Sequence, residues 1–122
     1  MKTIELTANG VTAKLILRNA TIGDNLRRSM LAAQALEHPL TDPAEQTAAV
    51  VIYPRCLACL VEGEIVNPKS EIVNPKSLTP AEFVALPAEI GEAWLSAALE
   101  LNPAWNLAPL SADEEASAEK KD

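Results

Sequence analysis

The spacing of apolar residues changes near residue 20, and this change constrains the fold more than any other feature of the chain. Within residues 2–18, apolar and polar side chains alternate, which is the period of a strand with two different faces. Asn9-Gly10 divides this stretch, and both residues tolerate the positive φ angles of a tight hairpin turn. From residue 21 onward, apolar residues recur at helical spacing. The sequence therefore predicts an α+β, mainly helical fold in which a hairpin, with strands at about 2–7 and 12–18, precedes a small helical bundle.

Three segments carry side chains that commonly begin a helix. Thr21, Asp42 and Thr79 each offer a side-chain oxygen to the backbone, and each is followed three residues later by an acidic residue. Proline comes directly after Asp42 and Thr79, at the position where its missing N–H does no harm. These signals predict helices at about 22–37, 43–60 and 80–101, the last of them restarting at Leu86-Pro87.

The second predicted helix contains Pro54 in its interior. A proline there removes one backbone donor and clashes with the preceding turn, so we expect a kink or two short helices. The same segment is apolar nearly all round, which is typical of a buried helix.

The first predicted helix has a row of apolar residues along one face: Ile22, Leu26, Met30, Ala33 and Leu36. Such a row either packs into the core of its own chain or binds a partner. Both interpretations stay open at this point.

The heptad EIVNPKS occurs twice without change, as residues 64–70 and 71–77. Seven residues is the coiled-coil period, but Pro68 and Pro75 each interrupt a helix. Asn-Pro pairs favour turns, and exposed loops tolerate insertions. We therefore expect a tolerated duplication in an exposed loop over residues 64–77. The alternative is a pair of adhesive segments, Ile65-Val66 and Ile72-Val73, that contact a partner.

Length and charge limit the remaining possibilities. The 122 residues suit one domain, which we place at 1–110, and we expect the small, charged segment 111–122 to be disordered. The net charge of -7 argues against nucleic-acid binding. No apolar run approaches the roughly 20 residues of a membrane span, and the N-terminus lacks the apolar core of a signal peptide. We expect a soluble, intracellular protein with no nucleic-acid or membrane partner.

Few residues are candidates for chemistry. Cys56 and Cys59 form a CxxC pair, which occurs in redox and zinc sites, but zinc needs about four ligands and His38 is the only histidine. Packing in the core is the favoured interpretation of both cysteines. The chain has no nucleophile motif and no glycine-rich phosphate loop. We predict no catalytic residue, no metal site and no cofactor.

Trp105 follows Asn102-Pro103, the signal that ends the last predicted helix. A half-exposed tryptophan is a common anchor at binding surfaces. In a chain with so few aromatic residues, the favoured interpretation is that Trp105 folds back onto Trp94 or Phe83 and closes the core. We take Arg27, Arg28 and Trp105 as candidate partner-binding residues, because the arginines flank the apolar row and Trp105 is the other large apolar candidate.

Four segments carry a family resemblance: TIGDNLRRS (21–29), YPRCLAC (53–59), TPAEF (79–83) and AWLSAALELNPAW (93–105). With the hairpin, they cover most of residues 1–110, and they resemble tail assembly chaperones of long-tailed, siphovirus-like bacteriophages. The duplicated heptad departs from the family pattern. The resemblance implies a small protein without catalysis that coats the tape-measure protein in the host cytoplasm and is absent from the mature virion.

The resemblance also implies further partners. They are the tail-tube protein, whose subunits the chaperone helps to recruit, a longer form of the chain made by a frameshift, and other copies in a homo-oligomer. Two other functions stay open. One is a structural tail component, such as a tail-completion or tube-associated protein, and the other is a small redox or metal protein that uses Cys56 and Cys59.

Overall fold

The computed structural model describes residues 1–106. Its helices and strands are β1 (Lys2–Ala8), β2 (Val11–Leu17), α1 (Ile22–Glu37), α2 (Pro43–Ala58), β3 (Leu60–Val66), β4 (Ile72–Val73), α3 (Pro80–Val84) and α4 (Ala88–Leu101), with short 3₁₀ helices at Pro75–Ser77 and Pro103–Trp105. The predicted α+β class, an N-terminal hairpin followed by helices, is confirmed. Within the described range, no helix is long and apolar enough to cross a membrane. The segment 111–122, predicted to be disordered, lies outside the described residues.

The four strands form one antiparallel sheet in the order β1-β2-β3-β4. The hairpin turn has positive φ angles at Asn9 (50°) and Gly10 (81°), as the Asn-Gly pair predicts. Alternate residues of β2, namely Ala13, Leu15 and Leu17, are fully buried. Since α4 packs against both β1 and β2, one face of the hairpin is covered by this helix.

A glycine allows β3 to join the hairpin. Gly63 lies opposite Leu15 of β2. A Cβ atom added at Gly63 would lie 2.6 Å from the carbonyl oxygen of Lys14 and 3.0 Å from a methyl group of Leu15. The first distance is shorter than side chains tolerate, so the close approach of the two strands depends on glycine at this position.

Helix α2 is continuous through Pro54, so of the two outcomes expected, a kink or two short helices, the second is wrong. Its N-cap is Asp42, as predicted, but it ends at Ala58 rather than near residue 60. Pro54 and its neighbour Tyr53 are both buried. This packing stabilises the helix against the loss of one backbone hydrogen bond, because most helical stability in proteins comes from tertiary contacts.

The prediction that the duplicated heptad forms a loop over residues 64–77 is wrong. The first copy continues β3 as far as Val66, and the second copy supplies β4 and the 3₁₀ helix Pro75–Ser77. The two copies pair with each other, Val66 opposite Ile72 and Ile65 opposite Val73. The open edge of β2 supplies the backbone partners for β3, and this long-range pairing overrides the local preference of the segment for turns.

Each copy nevertheless forms the same turn at its Asn-Pro-Lys segment. The side-chain oxygens of Asn67 and Asn74 accept hydrogen bonds from the amides two residues later, at 2.9 and 3.0 Å. Beyond the turn the copies diverge. Ser70 has a φ of 65° and leads the chain back into β4, whereas the second copy continues as a 3₁₀ helix in which Pro75 is fully buried.

Three aromatic rings fasten α3 and α4 to α2. Tyr53 meets Phe83 edge-on, and Phe83 meets Trp94 in the same way, with ring centroids 5.5 Å apart in both pairs. The Tyr53 hydroxyl donates to the carbonyl oxygen of Leu78 (2.6 Å), and the Trp94 indole N–H donates to that of Cys56 (3.0 Å). Both buried polar groups therefore have a partner, which lets these large rings lie in the core.

Candidate partner-binding surface on α1

Asp24 holds the start of α1 in two ways. Its carboxylate accepts from the backbone amide of Thr21, and its own amide donates to the Thr21 hydroxyl, both at 3.1 Å, which completes the predicted capping box. The carboxylate also accepts two hydrogen bonds from Arg18, each 2.9 Å, and one from Arg27 at 2.7 Å. Asp24 is fully buried, so this network ties the end of β2 to the first turn of α1.

The same network keeps Asp24 charged. Burial by itself would raise the pKa of the carboxyl group, but the hydrogen bonds from Arg18, the Thr21 amide and Arg27 lower this pKa to about 2. The hydrogen bond to Asp24 also raises the pKa of Arg18. Sequence spacing indicated Asp24 only as a capping residue. Its contact with Arg18 joins a strand end to a helix, which no local pattern reveals.

The apolar row on α1 is exposed to solvent. Ile22 is 83% exposed, Leu26 61%, Met30 60% and Leu36 64%, and Ala33 is exposed as well. The opposite side of the helix, which includes Asp24 and Ala35, is buried, and α1 packs against α2. We call the five residues 22, 26, 30, 33 and 36 the α1 stripe. Residues 1–106 do not use this stripe in their core.

Trp105 is buried and belongs to the core, so the interpretation in which it is an exposed anchor is wrong. Its indole N–H donates to the side-chain oxygen of Asn25 (2.8 Å), and its carbonyl oxygen accepts from Arg55 (2.9 Å). These contacts hold the end of the described chain against α1 and α2. A residue held in this way has little surface to offer a partner.

The two candidate arginines differ in accessibility. The Arg28 guanidinium lies over the Trp105 ring, 5.2 Å from its centroid, in a cation–π contact. The Arg28 Nε is buried and has no hydrogen-bond partner among residues 1–106. Arg27 pairs with Asp24, yet its side chain remains 54% exposed. Of the three predicted binding residues, Arg27 is therefore the one that a partner can reach.

Asn102 orients α1, although the sequence indicated it only as a helix stop. Its side-chain oxygen accepts from the Ala20 amide (2.6 Å), and its side-chain nitrogen donates to the carbonyl oxygens of Arg18 (3.2 Å) and Ala98 (3.1 Å). Asn102 and Ala20 lie 82 positions apart in the chain. The end of α4 is thereby joined to the segment that leads into α1, a role that only the folded chain shows.

Both cysteines pack in the core, as predicted. Cys56 and Cys59 are free and fully buried. Burial raises the pKa of the Cys56 thiol well above its usual range and raises that of Cys59 to about 11. Both are protonated at neutral pH, and a protonated thiol is a poor nucleophile. In the part of the chain that the structure describes, no three His, Cys, Asp or Glu residues come together as metal ligands.

Of the features of α1 that the sequence singled out for binding, the stripe and Arg27 are therefore the accessible ones. Together they form an apolar row with a charged edge and no reactive group. Comparisons of the chain with protein-family models, with curated proteins and with solved structures found no match, so the resemblance to tail assembly chaperones stays a prediction.

Proposed function

We propose that the chain is a tail assembly chaperone without catalysis, whose α1 stripe binds an amphipathic helix of the tape-measure protein. Bound along the stripe, the client helix has its apolar face shielded from water while tail-tube subunits assemble. The family resemblance supplies the identity of this client. The exposure of the α1 stripe supports the choice of binding surface.

The exposure of the α1 stripe is the observation that supports the proposal. Soluble monomers rarely leave a contiguous row of large apolar side chains in water, and such rows mark interaction sites. Full burial of one large aliphatic side chain contributes about 1.5–3 kcal/mol. On α1, four large apolar side chains are each at least 60% exposed. A partner that covers them gains a large part of the free energy that binding requires.

The shape of the stripe favours a helical partner. Ile22, Leu26 and Met30 follow one another at intervals of four residues, so they form a straight ridge along α1. An amphipathic helix packs along such a ridge through its own apolar face. Met30 has an unbranched side chain that adapts to partners of different shape. Arg27 places a positive charge near the ridge. An acidic residue of the client that pairs with this charge would increase the specificity of binding more than its affinity.

A second copy of the chain is the competing occupant of the stripe. Two α1 helices would bury both stripes against each other. The net charge of -7 opposes this association, because like-charged chains repel one another. We therefore assign the stripe to a client helix and make self-association an outcome of the test.

Coexpression with the tape-measure protein tests the proposal. We expect the wild-type chain to keep the tape-measure protein in the soluble fraction and to copurify with it. A variant with Leu26→Glu and Met30→Glu folds normally, because both side chains lie in solvent, but it loses the client. Ile72→Glu is the matched control, since Ile72 is 69% exposed but lies on β4. This control keeps the client soluble.

Four results would change the assignment. If the double variant solubilises the client as well as the wild type does, the stripe is not the binding surface. If the wild type leaves the tape-measure protein insoluble, the chaperone function is wrong. Sedimentation of the isolated chain identifies a dimer, and a dimer that the double variant abolishes assigns the stripe to self-association. Recovery of the chain from purified virions would instead indicate a structural tail component.

A further inference from the structure

A cavity of about 440 Å³ lies where α1, the end of α2 and β3 meet. Cavities of roughly this size hold small organic ligands. None of the five residues of the α1 stripe lines this cavity. Arg27 is the one residue that both sites use, and the ligand of the cavity does not depend on the function proposed for the stripe.

Three basic side chains line the cavity: Arg18, Arg27 and Lys76. Among the described residues that line it, none is acidic. Asp24 does not line the cavity, but it forms ion pairs with both arginines. Its single negative charge offsets one of their two positive charges, so one positive charge remains. Lys76 adds a second positive charge. In a chain whose net charge is -7, this is a local concentration of positive charge that attracts anions.

The rest of the lining is apolar or aromatic: Tyr53, Leu57 and Leu60 are buried, and Leu31 and Val61 are partly exposed. An inorganic anion would leave Leu31 and Val61 in contact with water. A ligand with an aliphatic body covers them and gains the free energy of apolar burial. The cavity thus combines an attraction for negative charge with a preference for hydrocarbon.

We propose that this cavity binds a small carboxylate with an aliphatic body. Its carboxylate lies between Arg27 and Lys76, and its hydrocarbon part lies against Leu31 and Val61, the apolar lining residues with accessible surface. A guanidinium group has five N–H donors, and only Nη1 of Arg27 donates to Asp24. The other nitrogens of Arg27 therefore have donors for a ligand. Because Asp24 already orients this side chain, less conformational entropy is lost on binding.

The proposal gives the second heptad copy a role that the first copy does not share. Both lysines are exposed, but Lys76 lines the cavity, whereas Lys69, at the same position of the first copy, lies on the turn between β3 and β4. Pro75 precedes Lys76 and is fully buried, which holds the lysine backbone at the cavity. The two lysines have identical neighbours in sequence, so they form a matched pair for an experiment.

An NMR titration of the ¹⁵N-labelled full chain with octanoate tests the proposal. We expect saturable amide shifts confined to residues around the cavity, among them Leu31, Val61 and Lys76. Octanol lacks the charge and inorganic phosphate lacks the apolar body, so each binds at least about tenfold more weakly than octanoate. Lys76→Ala weakens octanoate binding roughly threefold to tenfold, and Lys69→Ala leaves it unchanged.

Arg27→Gln is a second variant that removes the charge without touching the heptad, and it also weakens octanoate binding while Arg18 keeps Asp24 paired. Octanol binding equal to that of octanoate would overturn the proposal, because the charges would then have no role. Equal weakening by Lys69→Ala and Lys76→Ala would assign the effect to overall charge. Amide shifts on the α1 stripe instead of the cavity, or the absence of any saturable shift, would show that the cavity does not bind a carboxylate.

Discussion

Ile65 and Ile72 occupy the same position in two identical heptads and lie on adjacent, paired strands, yet they differ completely in burial. Ile65 lies on β3 and is 2% exposed, whereas Ile72 lies on β4 and is 69% exposed. The residues around them are the same, so their local conformational preferences are the same. Their different environments arise from the sheet, where β3 pairs with β2 on one side and β4 ends the sheet.

This difference predicts unequal effects of the same substitution. Ile65→Ala leaves a cavity in the core and should lower the free energy of unfolding by about 2–5 kcal/mol. Ile72→Ala removes an exposed side chain and should change it by less than about 0.5 kcal/mol. Urea denaturation of both variants measures the difference. Equal losses would mean that the two copies are equivalent in solution, contrary to the fold.

The Asp24 network predicts a loss of stability in acid. The pKa of Asp24 is lowered from 3.8 to about 2 in the folded chain, so the contribution of this group is fully present above the unfolded value. It is lost as the pH falls from about 4 through about 2, and it amounts to about 2 kcal/mol. Unfolding measured at a series of pH values reveals this loss.

Asp24→Asn provides the comparison for that series. The neutral amide weakens the contacts with Arg18 and Arg27, so we expect a loss of about 1–3 kcal/mol at neutral pH. The variant also lacks the acid-dependent contribution of this carboxylate, and the free-energy difference between wild type and variant should shrink below pH 4. A difference that stays constant down to pH 2 would show that Asp24 titrates normally.

Two glycines predict opposite effects of substitution by alanine. Gly63→Ala forces a Cβ atom against the carbonyl oxygen of Lys14 and should destabilise the sheet by about 1–3 kcal/mol. Gly91 lies in α4, where an added Cβ meets no atom within 4 Å. Gly91→Ala should therefore stabilise the chain by about 0.5–1 kcal/mol, because alanine favours the helix. Thermal unfolding of the two variants compares them, and a stabilising Gly63→Ala would contradict the close strand approach.

Trp105→Ala tests whether this residue is structural. It removes a buried ring that contacts Asn25 and Arg28, so the free energy of unfolding should fall by about 3–5 kcal/mol. Arg28→Ala removes only the cation–π contact and should cost about 1 kcal/mol. Chemical denaturation measures both. If Trp105→Ala has normal stability but no longer binds the client, the structural role is wrong and Trp105 is a binding residue.

The sequence was sufficient to predict those features that depend on contacts between residues close together in the chain. The caps at Thr21, Asp42 and Thr79 and the turn at Asn9-Gly10 act over three or four residues, and each lies where it was predicted. The strand β3 was missed because it pairs with β2 more than 40 positions earlier, as in the pair of Lys14 and Glu64. The alternating pattern of β3 begins directly after the apolar end of α2, so no clear boundary between the helix and the strand is visible in the sequence.

The candidate sites were predictable only in part, for the same reason. The spacing of the α1 stripe was visible in the sequence, but its exposure was not, since a buried and an exposed apolar face have the same period. The basic cavity joins Arg18, Arg27 and Lys76, which come from three separate parts of the chain. Asp24 holds Arg18 and Arg27 together, and the buried position of Pro75 brings Lys76 to them from the second heptad copy.

Site-specific photocrosslinking from the stripe tests the central claim most directly. A photoreactive benzoylphenylalanine replaces Met30 in one variant and Ile72 in a matched control, and each is coexpressed with the tape-measure protein and irradiated. Both positions are exposed, so neither replacement should disturb the fold. We predict a crosslink from position 30 to the tape-measure protein and none from position 72. Absence of a crosslink at position 30 in a soluble complex with the tape-measure protein, or an equal yield from both positions, would contradict the assignment of the α1 stripe as the client-binding surface.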